Sequence, residues 1–195
     1  MALAPLEQSV RPGLNLPGVA FTRPRVLVAL AAVAVAALVL AAYPWGPQGA
    51  IAAFLSAALV TIAAFDYRSL TIPNGLVLPA TAIVLIAGLA FYPARVPGLA
   101  LAGLLAAALL LIPNLVNGSW MGMGDVKLAL LLGLVLGWAV IGAIVVAFVA
   151  TLPVSLLALA RGGASARKAA IPFGPFLALG AILVMVIPRL AGIGS

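Results

Sequence analysis

The chain has no cysteine and no histidine. Disulfides, thiolate nucleophiles and Cys/His zinc sites are therefore excluded. So is every catalytic triad or metalloprotease motif that needs an imidazole. Without cysteine, the sequence says nothing about redox compartment. Charge is also scarce: Asp, Glu, Lys and Arg make up 7% of the 195 residues, against roughly 25% in an average soluble domain. The three acids are Glu7, Asp66 and Asp125; ten bases bring the net charge to +7. Apolar residues, by contrast, fill 66% of the sequence. A soluble core of this size cannot hide that much apolar surface, and a disordered chain would be polar. What remains is a multi-pass membrane protein. In a soluble protein the basic excess would suggest nucleic acid. Here it marks the side that faces anionic lipid and cytosol, and no nucleic-acid partner is expected.

A bilayer core of roughly 30 Å needs about 17–25 apolar helical residues. Uncharged runs cover residues 26–43, 49–65, 76–92, 97–116 and 175–188, and a longer run, 126–160, carries only Lys127. Proline and glycine between the runs are natural helix boundaries. The long run is either one tilted span, giving six, or two spans broken near Gly137-Trp138, giving seven. With seven, Arg11, Arg23, Arg25, Arg68, Lys127, Arg161, Arg167 and Lys168 share one side and only Arg95 and Arg189 lie opposite. The positive-inside rule prefers that split and puts the N-terminus in the cytosol. Tyr43, Trp45, Tyr92 and Trp138 then fall at the outer interface, and Tyr67 and Trp120 at the inner one. The expected fold is thus an all-α polytopic helical bundle over residues 26–195, preceded by a Pro/Arg-containing cytosolic tail, residues 1–25. The first apolar run is too long for a signal-peptide core and is read as a retained helix.

Asp66 closes the second run and Asp125 opens the fifth. Ionisable groups at membrane depth are expensive, so each is a candidate functional residue. The bland alternative makes each a solvated helix-end charge, with Asp125 favoured by the helix dipole. Two features weigh against it. The pattern occurs twice, as Asp66-Tyr67-Arg68 and Asp125-Val126-Lys127, and each copy sits beside unusual backbone chemistry. After the first comes Ile72-Pro73-Asn74: Pro73 holds Ile72 extended and suits a helix start, and Asn74 is a cap or turn residue. Before the second comes Gly122-Met123-Gly124, whose glycines permit positive φ and close backbone approach. If the two carboxylates meet, like charges in a low-dielectric site share a proton. The ionised partner can act as general base on water and the protonated one as general acid on a carbonyl. That pair hydrolyses an amide without His, Cys, Ser or metal. A Ser/Lys dyad of Ser119 with Lys127 is a second protease option.

Three blocks, in this order, resemble the type IV prepilin peptidase family of bacterial membrane aspartic proteases. They are Asp66-Tyr67-Arg68…Ile72-Pro73-Asn74, the GxGD segment Gly122-Met123-Gly124-Asp125-Val126-Lys127-Leu128, and Ile171-Pro172-Phe173-Gly174-Pro175-Phe176-Leu177-Ala178. The resemblance implies an endopeptidase of the bacterial inner membrane with Asp66 and Asp125 as its catalytic pair. It would remove a short basic leader from prepilin or pseudopilin-like substrates at the cytosolic face. Many members also methylate the new N-terminus with S-adenosylmethionine. The longer members carry a Cys-rich zinc-binding segment; this chain, without cysteine, is similar to the short forms. No cofactor or metal is expected, methyl transfer is not predicted, and no oligomeric state is implied.

Softer roles fall to the other motif residues. Residues two apart on a helix do not face each other, so Arg68 and Lys127 are expected to contact lipid phosphate, loop carbonyls or another acid rather than their own aspartates. Pro172, Gly174 and Pro175 form either a rigid turn near the site or a plain helix start. Arg161, Arg167 and Lys168 make a basic patch for lipid headgroups. Two rival functions stay open: a small proton-coupled transporter, which would hold its acids near the bilayer midplane, and a non-catalytic scaffold of a pilus or secretion assembly.

Overall fold

The computed structural model describes residues 24–43, 45–116, 121–166 and 172–190. Residues 1–23 of the expected tail, the interfacial role of Trp120, the Ser119 half of the Ser/Lys option, and Arg167, Lys168 and Ile171 lie outside the described residues; Pro24 and Arg25, expected in the tail, already belong to the first helix, whose backbone bonding starts before the apolar run does. Seven α-helices make up the described chain: α1 Pro24–Ala42, α2 Pro47–Ser69, α3 Asn74–Phe91, α4 Val96–Val116, α5 Met123–Leu136, α6 Val140–Ala166 and α7 Gly174–Leu190. Short 3-10 turns at Pro93–Arg95 and Gly137–Ala139 introduce α4 and α6. The fold is all-helical. Four helical stretches are long and apolar enough to cross a membrane: Pro47–Ser69, Asn74–Phe91, Pro93–Val116 and Met123–Arg161. Leu27–Ala42 and Gly174–Arg189 are shorter apolar helices.

The helices overrun the apolar runs read from the sequence. Helix α2 continues past Phe65 to Ser69, and α5 starts at Met123, two residues before Asp125. Backbone hydrogen bonding does not stop where hydropathy does. Both aspartates therefore sit inside a terminal helical turn rather than beside one.

The long fifth run is broken at Gly137, whose φ of +57° a side chain would strain. Helix α5, about 21 Å long at 1.5 Å per residue, carries the chain from Asp125 to the opposite end of the bundle. There Leu136 and Ala139 line a cavity with Tyr43, Tyr92 and Arg189. Helix α6 then runs back: Phe148 stacks obliquely on Phe173, ring centroids 5.1 Å apart, next to the start of α7.

Helix α5 is the hub. Leu128, Ala129, Leu131 and Leu132 are fully buried, and Val126 and Leu134 nearly so, as expected of a helix apolar on every face. The helices around it expose Leu30, Val33, Leu78, Ile86, Leu104, Leu109, Val149 and Leu156 among many others. Water would not tolerate so much apolar surface; hydrocarbon does. In lipid no hydrophobic force pulls helices together, so close backbone approach does the work. Gly133 of α5 lies directly against Gly103 of α4, and Gly180 of α7 against Ala143 of α6, where a Cβ would collide with the facing backbone. Thr81, Thr151 and Ser155 return their hydroxyls to their own helix at 2.7–2.9 Å, leaving no unpaired donor toward the bilayer.

Candidate active site

Helix α2 ends where Leu70 adopts a left-handed conformation, φ 50°, and donates its N–H to the Asp66 carbonyl at 2.8 Å. The Asp66 side chain turns inward and is 5% exposed. Its Oδ2 accepts the Gly174 N–H at 2.9 Å, a contact across 108 residues. Gly174 is the first residue of α7. Its N–H is one of the donors that a helix start leaves unpaired, and the positive end of the helix dipole favours a carboxylate there.

Asp125 is the third residue of α5, after an extended N-cap at Gly122, φ −73° and ψ 140°. Its amide bonds back to the Gly122 carbonyl at 3.0 Å, and its carboxylate turns back toward Gly122. The side chain is 8% exposed, and Oδ1 is buried with no hydrogen-bond partner. Leaving such an oxygen unsatisfied costs about 1–3 kcal/mol. With Gly124 packed against Ile72, two buried carboxyl groups, each on the terminal turn of a different helix, share one end of the bundle. Such a pair can hold a water between a proton acceptor and a proton donor.

The glycines serve this approach through their missing side chains. The sequence reading allowed Gly122 and Gly124 a positive φ for a sharp turn. In the structure the positive-φ glycines among the described residues are Gly46 and Gly137. A Cβ on Gly124 would lie 2.6 Å from the Ile72 Cβ, and one on Gly174 would lie 2.7 Å from the Asp66 Oδ2. A Cβ on Gly122 would lie 3.2 Å from the Asp125 Oδ2. Bare Cα atoms let the three segments close on one another.

The remaining motif residues surround this core. Pro73 is the N-cap of α3, φ −71°. Asn74, expected as a cap or turn residue, is instead the first residue of α3, and its Oδ1 accepts the Lys127 ammonium at 2.8 Å. Proline already fixes the helix start, which frees the Asn74 amide to bridge to α5. That bond ties the first block to the second. Arg68 is exposed in the last turn of α2, and Pro172 is half-buried two residues before α7. Gly174 is both a helix start and a donor to Asp66, so the two alternatives for that segment coincide.

Two further contacts escaped the sequence reading. Ile72 is the residue that requires glycine at position 124. Asn114, near the end of α4, donates from Nδ2 to the Met121 carbonyl at 2.6 Å and anchors the approach to Gly122. An asparagine beside Pro113 at the end of an apolar run was its only local signal. Among the described residues no group of three or more His, Cys, Asp or Glu side chains could hold a metal.

Comparison with known proteins bears on this arrangement. Two curated relatives, each named prepilin leader peptidase/N-methyltransferase, come from Burkholderia pseudomallei strains 1026b and K96243. Each is 39% identical over 166 residues, 79% of this chain and 52% of the relative. The chain therefore spans about half the length of the curated relatives it matches. No solved structure matches it. The family model for type IV leader peptidases matches residues 53–187, a stretch that contains both aspartates, the Gly122–Gly124 segment and the α7 start. With most of its length so covered, the chain belongs to the type IV leader peptidase family.

Proposed function

We propose that this protein is a membrane aspartic endopeptidase that removes the leader of type IV prepilin or pseudopilin-like substrates. The observation that carries the reading is the buried pair Asp66 and Asp125, with the Asp125 Oδ1 left unpartnered, in a chain of this family. One proton is shared between the two carboxyls. The ionised group takes a proton from water as the water oxygen bonds to the scissile carbonyl carbon, and the other group protonates the carbonyl oxygen; the C–N bond then breaks as the first group passes its proton to the leaving amine and the second takes its proton back from the new carboxyl. Both acids sit in terminal turns rather than mid-helix, which favours peptidase over the transporter alternative. The substrate's scissile segment has to unwind before attack, because helical hydrogen bonds cover its carbonyls.

The pair lies at the cytosolic face in this reading, in a bundle of seven spans. Arg68, Lys127 and Arg161 share the aspartate end, while Arg95 and Arg189 lie at the other, as the positive-inside rule requires. The reversal of α5 into α6 supports the odd span number. Because the chain has no native cysteine, single cysteines at the exposed positions Ser69 and Trp45 report orientation directly. A membrane-impermeant thiol reagent on intact spheroplasts should label W45C and spare S69C; the reverse pattern refutes the orientation.

Incubation of the purified protein with a candidate prepilin, followed by mass measurement of the products, tests the activity. Leader removal is the expected result. The same spectrum reports any added methyl group, the second activity in the relatives' name. Intact substrate across a panel of prepilins and pseudopilins refutes the reading.

A further inference from the structure

The end of the bundle away from the aspartates holds a cavity of about 370 Å³. It opens among the α1–α2 turn, the start of α4, the α5–α6 reversal and the end of α7. Two arginines reach it from different elements. Arg95, in the 3-10 turn before α4, stands 5.5 Å from the centroid of the Tyr92 ring. Arg189, in the last turn of α7, stands 4.4 Å from that of Tyr43. Each guanidinium is thus positioned by a cation–π contact in the wall of the cavity. The acids among the described residues, Asp66 and Asp125, lie at the other end, about 27 Å away along α2 by helical rise. Gln48 adds a neutral amide, and Val84, Leu134 and Met185 supply an apolar floor.

We infer that this cavity binds a phosphate-bearing anion, the two arginines holding its phosphate and the apolar floor taking attached hydrocarbon. Two guanidinium groups in one cavity wall, with no carboxylate side chain among the described residues at this end, suit a phosphate, which can accept paired N–H bonds from each. The apolar floor and the lipid-facing helices around it fit the headgroup of an anionic phospholipid; inorganic phosphate shares the head chemistry without the tail. The ligand would bridge the start of α4 to the end of α7 across the α5–α6 reversal, bracing the end of the hub helix.

The test uses the full-length protein in a neutral detergent. Phosphatidylglycerol, phosphatidylcholine or inorganic phosphate is added separately, and thermal unfolding and native mass spectra are read. Phosphatidylglycerol should raise Tm and stay bound as a single adduct, with phosphatidylcholine giving neither effect. R95Q and R189Q should each weaken that adduct about tenfold or more, while R95K and R189K, which keep the charge but lose the fork, fall between. Lysine variants also serve if a glutamine variant does not fold. Protection by inorganic phosphate equal to that by phosphatidylglycerol supports the phosphate site and overturns the lipid as its source. Equal binding of phosphatidylcholine and phosphatidylglycerol, or an adduct indifferent to both arginines, overturns the site. The readouts do not involve cleavage, so the outcome is independent of the peptidase reading.

Discussion

Gly174→Ala places one methyl group against the Asp66 carboxylate. The new Cβ would lie 2.7 Å from Oδ2 and 3.1 Å from Cγ, roughly 0.7 Å inside ordinary van der Waals contact with the oxygen. Two responses are open. Asp66 can swing away, stretching or breaking its 2.9 Å bond to the Gly174 N–H. A buried hydrogen bond to a charged group contributes about 1.5–3 kcal/mol. Alternatively the start of α7 can retreat, which moves the donor together with the methyl. Either way the carboxylate loses its position by several tenths of an ångström to about 1 Å, and misplacement on that scale costs on the order of 10²-fold in rate. The expected outcome is a drop of about 10² in kcat for prepilin cleavage with KM nearly unchanged, because the contact is buried and the substitution alters no exposed side chain. Gly75→Ala is the matched control: nothing lies within 4 Å of its added Cβ, so it should leave the rate unaltered. Steady-state cleavage read by product mass distinguishes the two variants. A G174A enzyme within about threefold of wild type would refute the claim that Asp66 is held for catalysis by the start of α7.

Further predictions follow from the same geometry. Gly124→Ala drives a Cβ to 2.6 Å from that of Ile72, so cleavage should fall at least tenfold and recover in part in the double variant G124A/I72G, measured by the same assay. The Lys127–Asn74 bond is exposed, so K127A and N74A should each cost about 1 kcal/mol or less in thermal or denaturant unfolding. Their double variant should be no worse than the more damaging single one; full additivity would show that the bond is not made. The pH–rate profile of cleavage should be bell-shaped. The proposed mechanism requires one protonated and one ionised carboxyl, so activity should be lost in acid when both are protonated and in base when both are ionised. A profile flat across both limbs would contradict proton sharing.

Much of the frame was legible because membrane burial writes itself into composition. The apolar runs, the break at Gly137 and the two acids at run ends are local features, and a helix forms wherever such a run has to satisfy its backbone in lipid. Helix ends were less legible, because hydropathy marks the hydrocarbon rather than the last hydrogen bond; Asp66 and Asp125 moved from flanks into terminal turns for that reason. The site's internal bonds were not legible at all. Nothing near Asp66 announces that a donor 108 residues away will meet it. Gly124 reads locally as a flexible hinge, yet its role is to make room for Ile72. Asn74 reads as a cap, yet it receives Lys127. Each of these depends on which helices pack together, which no single stretch of the chain encodes.

The most direct measurement is the cleavage rate of D66N, D125N and the double variant on one prepilin, with helix content checked by circular dichroism. Asparagine keeps the shape of each side chain and removes the shared proton chemistry. Because the two carboxyls act as one unit, each single variant should fall to background and the double should fall no further. If either single variant keeps most of the wild-type rate while folded, the two aspartates do not form the catalytic pair.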